Sequence, residues 1–273
     1  MKIKSLEELP LETLMECFLI SFQNYFVSLP QSTEYWKDRF ATARVDWTLS
    51  FGMFDGDLLV GFIINGIDEH NGVLTAYNTG TGVLPEHRGK QIIEKLYAHA
   101  IPLFKNKGIV KCLLEVIVEN ERAKKVYEKI GFKVTRTLRS FKGTLDADAG
   151  NEYEVEGVSY RKVLDLELYD PKFYSWDNSA EAVKKAEENT ESHLLIDGEN
   201  EPSGYFTIDN AQNILQMEST DKHYAGLLDA ISEVATTVQI KNIPAERTEL
   251  IEALLARGFE NTVNQYEMEL WLE

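Results

Sequence analysis

Two cysteines, seven prolines and a shortage of positive charge mark this 273-residue chain before any motif does. Cys17 and Cys112 have no His or Cys neighbours at ligand spacing, so neither a disulfide framework nor a cysteine-built metal site is expected. A reducing, cytoplasmic setting fits that economy of thiols. No stretch approaches the roughly 20 uninterrupted apolar residues of a membrane span. The opening Met1-Lys2-Ile3-Lys4, followed by Glu7 and Glu8, lacks the apolar core and cleavage site of a secretion signal. Membrane and export are therefore both set aside. Lys and Arg number 28 against 45 Asp and Glu, a net charge of −17. The deficit is one-sided: residues 1–150 carry 19 basic against 19 acidic groups, and residues 151–273 carry 9 against 26. Binding a phosphate backbone needs a positive patch, so the acidic face argues against nucleic acid as a partner. An acidic half serves as a solvated, solubility-conferring surface, and at long range it favours cationic substrates or partners.

At this length two domains of ordinary size are expected, with material for two apolar cores. Leu11, Leu14, Met15, Phe18 and Phe22 recur at helical spacing, predicting a helix from Leu11 to Tyr25. A second helix is predicted over Thr33–Thr42, started by capping residues after Pro30. Trp47–Phe54, Leu58–Ile64 and Val73–Thr79 read as strands of an antiparallel meander, joined by Asp55-Gly56-Asp57 and Asn71-Gly72 turns. Ile92, Leu96, Ala100, Leu103 and Phe104 mark a helix closed by Gly108, with Pro102 expected to kink it. A buried strand Cys112–Val118, a helix Glu121–Ile130 stopped by Gly131, and a strand Phe132–Leu145 follow. The stretch 146–152 suits either a hairpin tip or a domain boundary; taken as a hairpin, it leaves Val155–Leu168 as the final strand of the first unit.

The second half repeats the first in weakened form. Leu194–Gly198, Gly204-Tyr205-Phe206 and Ile214–Met217 echo the meander. Val238–Asn242, Glu246–Arg257 and Gly258-Phe259 echo strand, helix and Gly-Phe. Self-similarity at this scale implies a duplicated fold. The interval Gly61–Gly131 is 70 residues and Gly204–Gly258 is 54, so the copy is 16 shorter. The loss is expected mostly in the segment before the helix.

Chemistry concentrates in residues 83–132. Arg88-Gly89-Lys90-Gln91-Ile92-Ile93 leads into a helix, where unpaired N–H groups and the helix dipole favour an anion such as a pyrophosphate. Gly80 and Gly82 in the preceding strand suggest a bulge or the close approach of another backbone or a ligand. Leu114, Glu115, Val116, Asn120, Ala123, Tyr127, Gly131 and Phe132 complete the pattern. Together these resemble the cofactor-binding centre of the GNAT acetyltransferase superfamily, and the Glu115 to Phe132 spacing resembles that of bacterial N-terminal acetyltransferases of ribosomal proteins.

The resemblance implies acetyl-CoA as co-substrate and no metal. Arg88, Gly89, Lys90, Gln91, Ile92, Ile93 would form the pyrophosphate turn, with Gln91 and Ile93 departing from the small residues usual there. A bulge at Val83 and Leu84 would supply an N–H to the thioester carbonyl. Asn120 would order the pantetheine or cap the following helix. Glu115 would act as general base and Tyr127 as general acid in direct transfer to an amine. The plain alternatives are a rim carboxylate for Glu115 and a packing tyrosine for Tyr127. His87 and Glu86 read as surface residues and Cys112 as a buried strand residue. Phe22, Tyr25, Phe26, Trp36 and Trp47 come from segments that in the family border the acceptor pocket, though most belong to the core.

The expected architecture is therefore α/β (α+β): two GNAT-like domains, 1–150 and 151–273, each a mixed, mostly antiparallel twisted sheet flanked by helices, the second a degenerate copy. The resemblance to tandem GNAT proteins extends to Ser175–Ser179 and Gln265–Leu270. A small amine or protein amine would be the acceptor, and a homodimer is left open. The alternative is a non-catalytic acyl-CoA-binding or regulatory module, or a scaffold that binds no CoA.

Overall fold

Polar caps and glycines set the element ends. Ser32 Oγ accepts from Tyr35 N–H at 3.3 Å and opens the second helix, and Asn120 Oδ1 accepts from Ala123 N–H at 3.1 Å to open another. Gly131, at φ +115°, lets its own N–H and that of Phe132 turn back onto the Tyr127 carbonyl. The computed structural model describes residues 1–23, 26–146, 150 and 152–273.

The elements are β1 (Lys2–Ser5), α1 (Leu11–Ser21), α2 (Thr33–Thr42), β2 (Phe51–Asp55), β3 (Leu58–His70), β4 (Val73–Val83), α3 (Ile92–Asn106), β5 (Lys111–Ile117), α4 (Glu121–Ile130), β6 (Lys133–Thr144) and β7 (Glu154–Val158). They continue with α5 (Tyr160–Asp165), α6 (Ala180–Lys185), β8 (Thr190–Ile196), β9 (Pro202–Asp209), β10 (Asn213–Ser219), α7 (Tyr224–Ser232), β11 (Thr237–Pro244), α8 (Thr248–Ala256) and β12 (Glu260–Trp271). The chain forms two units, one of Met1–Thr135 with Tyr266–Glu273 and one of Arg136–Gln265.

In unit 1 the strands run in the order β1-β2-β3-β4-β5-β12. The pairs β1-β2, β2-β3 and β3-β4 are antiparallel, and β4-β5 is parallel, so α3 serves as the crossover between them. Leu96, Tyr97, Ala100 and Phe104 of α3 are buried in a core that Met268 of β12 completes at 0% exposure. Lys111 Nζ, with a side chain 4% exposed, donates to Glu269 Oε1 at 2.9 Å. In unit 2 the order is β6-β11-β10-β9-β8-β7, antiparallel except for the β10-β11 pair. Unit 2 repeats the unit 1 succession of hairpin, helix, parallel strand, helix and strand.

Several expectations need correction. The unit boundary falls at 135/136 rather than 150/151, and residues 266–273 belong to unit 1. Sequence order does not decide which strands complete each unit: β6 follows α4 yet pairs with β11, and β12 follows α8 yet neighbours β5. Val155–Leu168 is not a strand of unit 1: β7 ends at Val158 and pairs with β8, and α5 starts after Ser159. Trp47–Leu49 is a 3-10 turn because Asp46 Oδ1 accepts from the Thr48 and Leu49 N–H groups at 2.8 and 3.2 Å. Helix α1 ends at Ser21; Tyr25 and most of the 146–152 hairpin tip lie outside the described residues. Helix α3 continues through Pro102.

Candidate functional site

The site in unit 1 begins where two strands part. β4 and β5 pair only from Thr75 with Lys111 to Asn78 with Leu114, although β4 runs on to Val83 and β5 to Ile117. The cause is local. Asn78 faces Asn65 on β3 and Gly80 faces Ile64, so Thr79 is an extra residue, a bulge that bends β4 away. A buried polar network fixes the bend: Thr81 Oγ1 donates to Asn78 Oδ1 at 2.6 Å, Asn78 Nδ2 to Asn65 Oδ1 at 3.2 Å, and Asn65 Nδ2 to the Leu49 carbonyl at 2.8 Å.

Beyond the bulge the backbone alternates. Leu84 N–H donates to the Val60 carbonyl of β3 at 3.0 Å, so the N–H and C=O groups of Thr81 and Val83 point to the opposite edge, into the wedge left by β5. This corrects the expected bulge at Val83 and Leu84: it sits at Thr79, and the Leu84 N–H is already committed to β3. Gly80 and Gly82 answer to packing. A Cβ at Gly82 would lie 2.5 Å from Phe62 Cζ and 2.9 Å from Ser21 Cβ, and one at Gly80 would lie 3.2 Å from the Phe18 ring. The close approach is that of α1 and the Phe62 ring.

The turn before α3 carries Gly89 at φ +79° and Gln91 at φ +57°. Gln91 thus holds a left-handed backbone that glycine adopts more easily, and its side chain is exposed. The first helical bond of α3 is Lys95 N–H to the Gln91 carbonyl, so the N–H groups of Ile92, Ile93 and Glu94 lie before the ladder begins, and no side chain caps them. Ile92 and Ile93 are buried in the core, so the bulk of Ile93 is directed away from solvent. Lys90 and Gly89 are exposed. Arg88 does something spacing did not disclose: its Nε donates to the Val83 carbonyl at 3.3 Å and its Nη2 to the Ser21 carbonyl at 2.9 Å. It ties the turn to the end of β4 and to the end of α1.

Glu115 is the first residue of β5 past the last β4 pair and is half-buried. Its neighbours Leu114 and Val116 point into the core, so its side chain takes the other face of the strand. Tyr127 on α4 is 7% exposed and packs edge-on to Phe132 at 5.8 Å and to Tyr97 of α3 at 6.5 Å between ring centroids. Tyr97 is a residue the sequence reading missed, because its place in the apolar stripe of α3 looks like core alone. Burial pushes its phenol well above the ordinary range. Burial also pushes the Cys112 thiol up to about 12, which agrees with its reading as a strand residue and not a nucleophile. Trp36 is core, its Nε1 donating to the Pro30 carbonyl at 2.9 Å, whereas Phe26 is exposed.

A family model, acetyltransferase (GNAT) family, matches residues 11–132. An N-alpha-acetyltransferase 30 of Schizosaccharomyces pombe is 34% identical over 100 residues, covering 36% of this chain and 67% of that protein. The chain belongs to the GNAT acetyltransferase family. Among solved structures, a tandem GNAT protein from the clavulanic acid biosynthesis pathway aligns over 100% of this chain and 99% of its own, at 12% identity and a TM-score of 0.68. A GCN5-related N-acetyltransferase from Sphaerobacter thermophilus aligns over 100% and 96%, at 10% identity and a TM-score of 0.71. At such identities these two speak to the GNAT fold alone. Among the described residues no group of His, Cys, Asp and Glu is arranged to hold a metal ion, and no helix is long and apolar enough to cross a membrane.

Proposed function

We propose that unit 1 is an N-acetyltransferase that moves the acetyl group of acetyl-CoA directly to a primary amine, and that the protein works in the cytoplasm. The observation that carries this is the parting of β4 and β5 at Asn78 and Leu114, with a bulge that turns strand backbone into the opening. The wedge edge and the α3 turn fit an acyl-CoA: strand N–H and C=O groups suit the amides of its arm, and the helix N-terminus suits its pyrophosphate. Acetyl-CoA supplies an acyl group activated as a thioester.

The chain's own residues do the rest. An outward N–H of Val83 or Thr81 donates to the thioester carbonyl as charge builds there. Glu115 accepts the proton an ammonium must lose before it can attack, directly or through a water. Tyr127 gives its phenolic proton to the departing sulfur, and Asn120 holds the start of α4 in register. Gly89, Lys90, Gln91, Ile92 and Ile93 present the turn, and Arg88 positions it. Protein N-termini are the first acceptors to test, because the Schizosaccharomyces pombe relative is named an N-alpha-acetyltransferase.

The test is turnover on a panel of peptides and small amines, with coenzyme A titrated calorimetrically in parallel. Glu115→Gln and Tyr127→Phe are each expected to lower turnover about 10²- to 10⁴-fold while coenzyme A affinity stays nearly unchanged. Unchanged turnover in both would remove them from the mechanism, and tight binding with no transfer to any amine would leave a sensor of acyl-CoA.

A further inference from the structure

Unit 2 builds the same wedge at the same register. β10 and β11 pair only at Asn213 with Gln239 and Ile214 with Ile240, then part. A bulge follows at once: Ile214 faces Ile208 on β9 and Gln216 faces Thr207, so Leu215 is the extra residue, as Thr79 is in unit 1. Thr220 N–H donates to the Ser203 carbonyl at 2.9 Å, the counterpart of Leu84 to Val60. Position by position, Gln216, Met217, Glu218 and Ser219 stand where unit 1 has Gly80, Thr81, Gly82 and Val83, and Lys241 stands where it has Glu115.

The opening is filled from within the unit. Tyr174 brings its hydroxyl to the outward backbone of Met217: the oxygen accepts from Met217 N–H at 3.3 Å and lies 3.1 Å from the Met217 carbonyl. The same hydroxyl is 2.9 Å from Glu218 Oε1 and 3.4 Å from the Tyr205 hydroxyl, so its one proton is shared among acceptors. Asn178 spans the gap, its Nδ2 donating to the Lys241 carbonyl of β11 at 2.9 Å and its carbonyl accepting from Gln216 Nε2 of β10 at 2.8 Å. The segment is anchored from behind. Arg136 donates to the carbonyls of Lys172 and Tyr174 at 2.6 and 3.2 Å, Asn242 Nδ2 donates to Ser175 Oγ at 3.1 Å, and the Arg247 guanidinium lies 4.7 Å from the Phe173 ring centre. Ser175 and Trp176 are 0% exposed, and only about 20 Å³ of cavity remains beside Tyr174 and Asn178, room for a single water.

We propose that unit 2 carries its own ligand: residues 174–178 permanently occupy the slot between β10 and β11, satisfying the strand groups that unit 1 turns to its acyl-CoA, so the whole chain takes one coenzyme A and not two. The proposal rests on the acetyltransferase reading for what fills the slot in unit 1, and on hydrogen bonds of unit 2 alone for what fills the other.

Two measurements on the full chain test it. Amide exchange by NMR on a ¹⁵N-labelled chain reads the plug directly: Tyr174→Phe keeps the ring and removes the hydroxyl, and the Met217 amide is expected to exchange about tenfold faster while the amides of β8 hold their protection. Asn178→Ala is expected to release the same amide, which covers the case in which the tyrosine variant fails to fold. Met217 exchange equal to wild type in both variants overturns the proposal. Calorimetric titration of the wild-type chain with coenzyme A is expected to saturate at one equivalent, and a second equivalent overturns it. A chain that binds none agrees with a filled unit 2 but sinks the function proposed for unit 1, leaving the Met217 amide to decide the plug.

Discussion

After Asn78 in unit 1 and after Ile214 in unit 2, a parallel strand pair parts behind a one-residue bulge. Beyond it, unit 1 places Gly80 and Gly82 under α1, whereas unit 2 places Gln216 and Glu218. Gln216 accepts from the Tyr160 hydroxyl at 2.9 Å, and Glu218 takes both guanidinium nitrogens of Arg247 at 2.9 Å. Burial nevertheless holds the Glu218 carboxyl above its ordinary range, against the pull of Arg247. Arg247 precedes α8 where Asn120 precedes α4. The connection from strand to helix spans residues 84–91 in unit 1 and only 220–223 in unit 2, so the stretch that presents helix N–H groups is cut back as well. The lesson is that the backbone frame persists while two strand positions and one helix start decide whether it faces outward or closes on itself.

The comparison can be broken most severely by removing β12 from unit 1. Deleting residues 266–273 strips Met268 from the core and leaves Lys111 buried without Glu269, losses of about 2–5 and 3–5 kcal/mol against a typical total of about 5–15. Unit 1 is expected to lose its cooperative unfolding transition, and a fragment 1–150 to behave the same way; a cooperative near-UV melt of either would show that β12 is dispensable. Next in size is Gly82→Ala. Its methyl would lie 2.5 Å from the buried Phe62 ring and 2.9 Å from Ser21 Cβ, so a destabilisation of about 1–3 kcal/mol is expected in denaturant titration, even though the matching position in unit 2 carries a glutamate. A neutral result would mean that α1 yields.

Gln91→Gly sharpens the comparison from the other side. Relieving the left-handed backbone should stabilise unit 1 by about 1 kcal/mol and tighten coenzyme A binding; a weaker complex would show that the glutamine side chain contributes to it. The smallest expected effect is a pH effect in unit 2. His193 stacks on Phe206 at 4.8 Å, and burial lowers its pKa against the opposing pull of Glu191 at 3.7 Å. The unfolded chain therefore binds the proton more readily, and stability contributed by neutral His193 is present above pH 6.5 and declines as pH falls below it. His193→Gln should flatten that acid limb in a pH series of melts followed by the buried Trp176, and an unchanged limb would assign it elsewhere.

Much of this was legible in the chain. Caps and glycines, Ser32, Asn120 and Gly131 among them, placed α2 and α4 to the residue, because such signals act through neighbours a few bonds away. The family pattern around Glu115 and Tyr127 was legible for the same reason. The bulge at Thr79 was not, since it depends on Asn78 meeting Asn65 across a strand pair. Strand β1 escaped because Lys-Ile-Lys-Ser carries no apolar run, and its place comes from pairing with β2. The exchange of β6 and β12 leaves no local mark, because it is set by neighbours far along the chain, β11 for β6 and β5 for β12. Asn178 was visible only as part of a resemblance and Tyr174 not at all, and their bonds reach Lys241 and Met217 far along the chain.

The placement of β12 has a consequence for how the molecule is made. Unit 1 holds the first residues of the chain, yet it lacks a strand until Tyr266 and its successors have been synthesised, after all of unit 2. A growing chain therefore carries an unfinished sheet, with the edge of β5 bare, through the whole translation of residues 136–265. The half that matches the acetyltransferase pattern is the half that must be completed last.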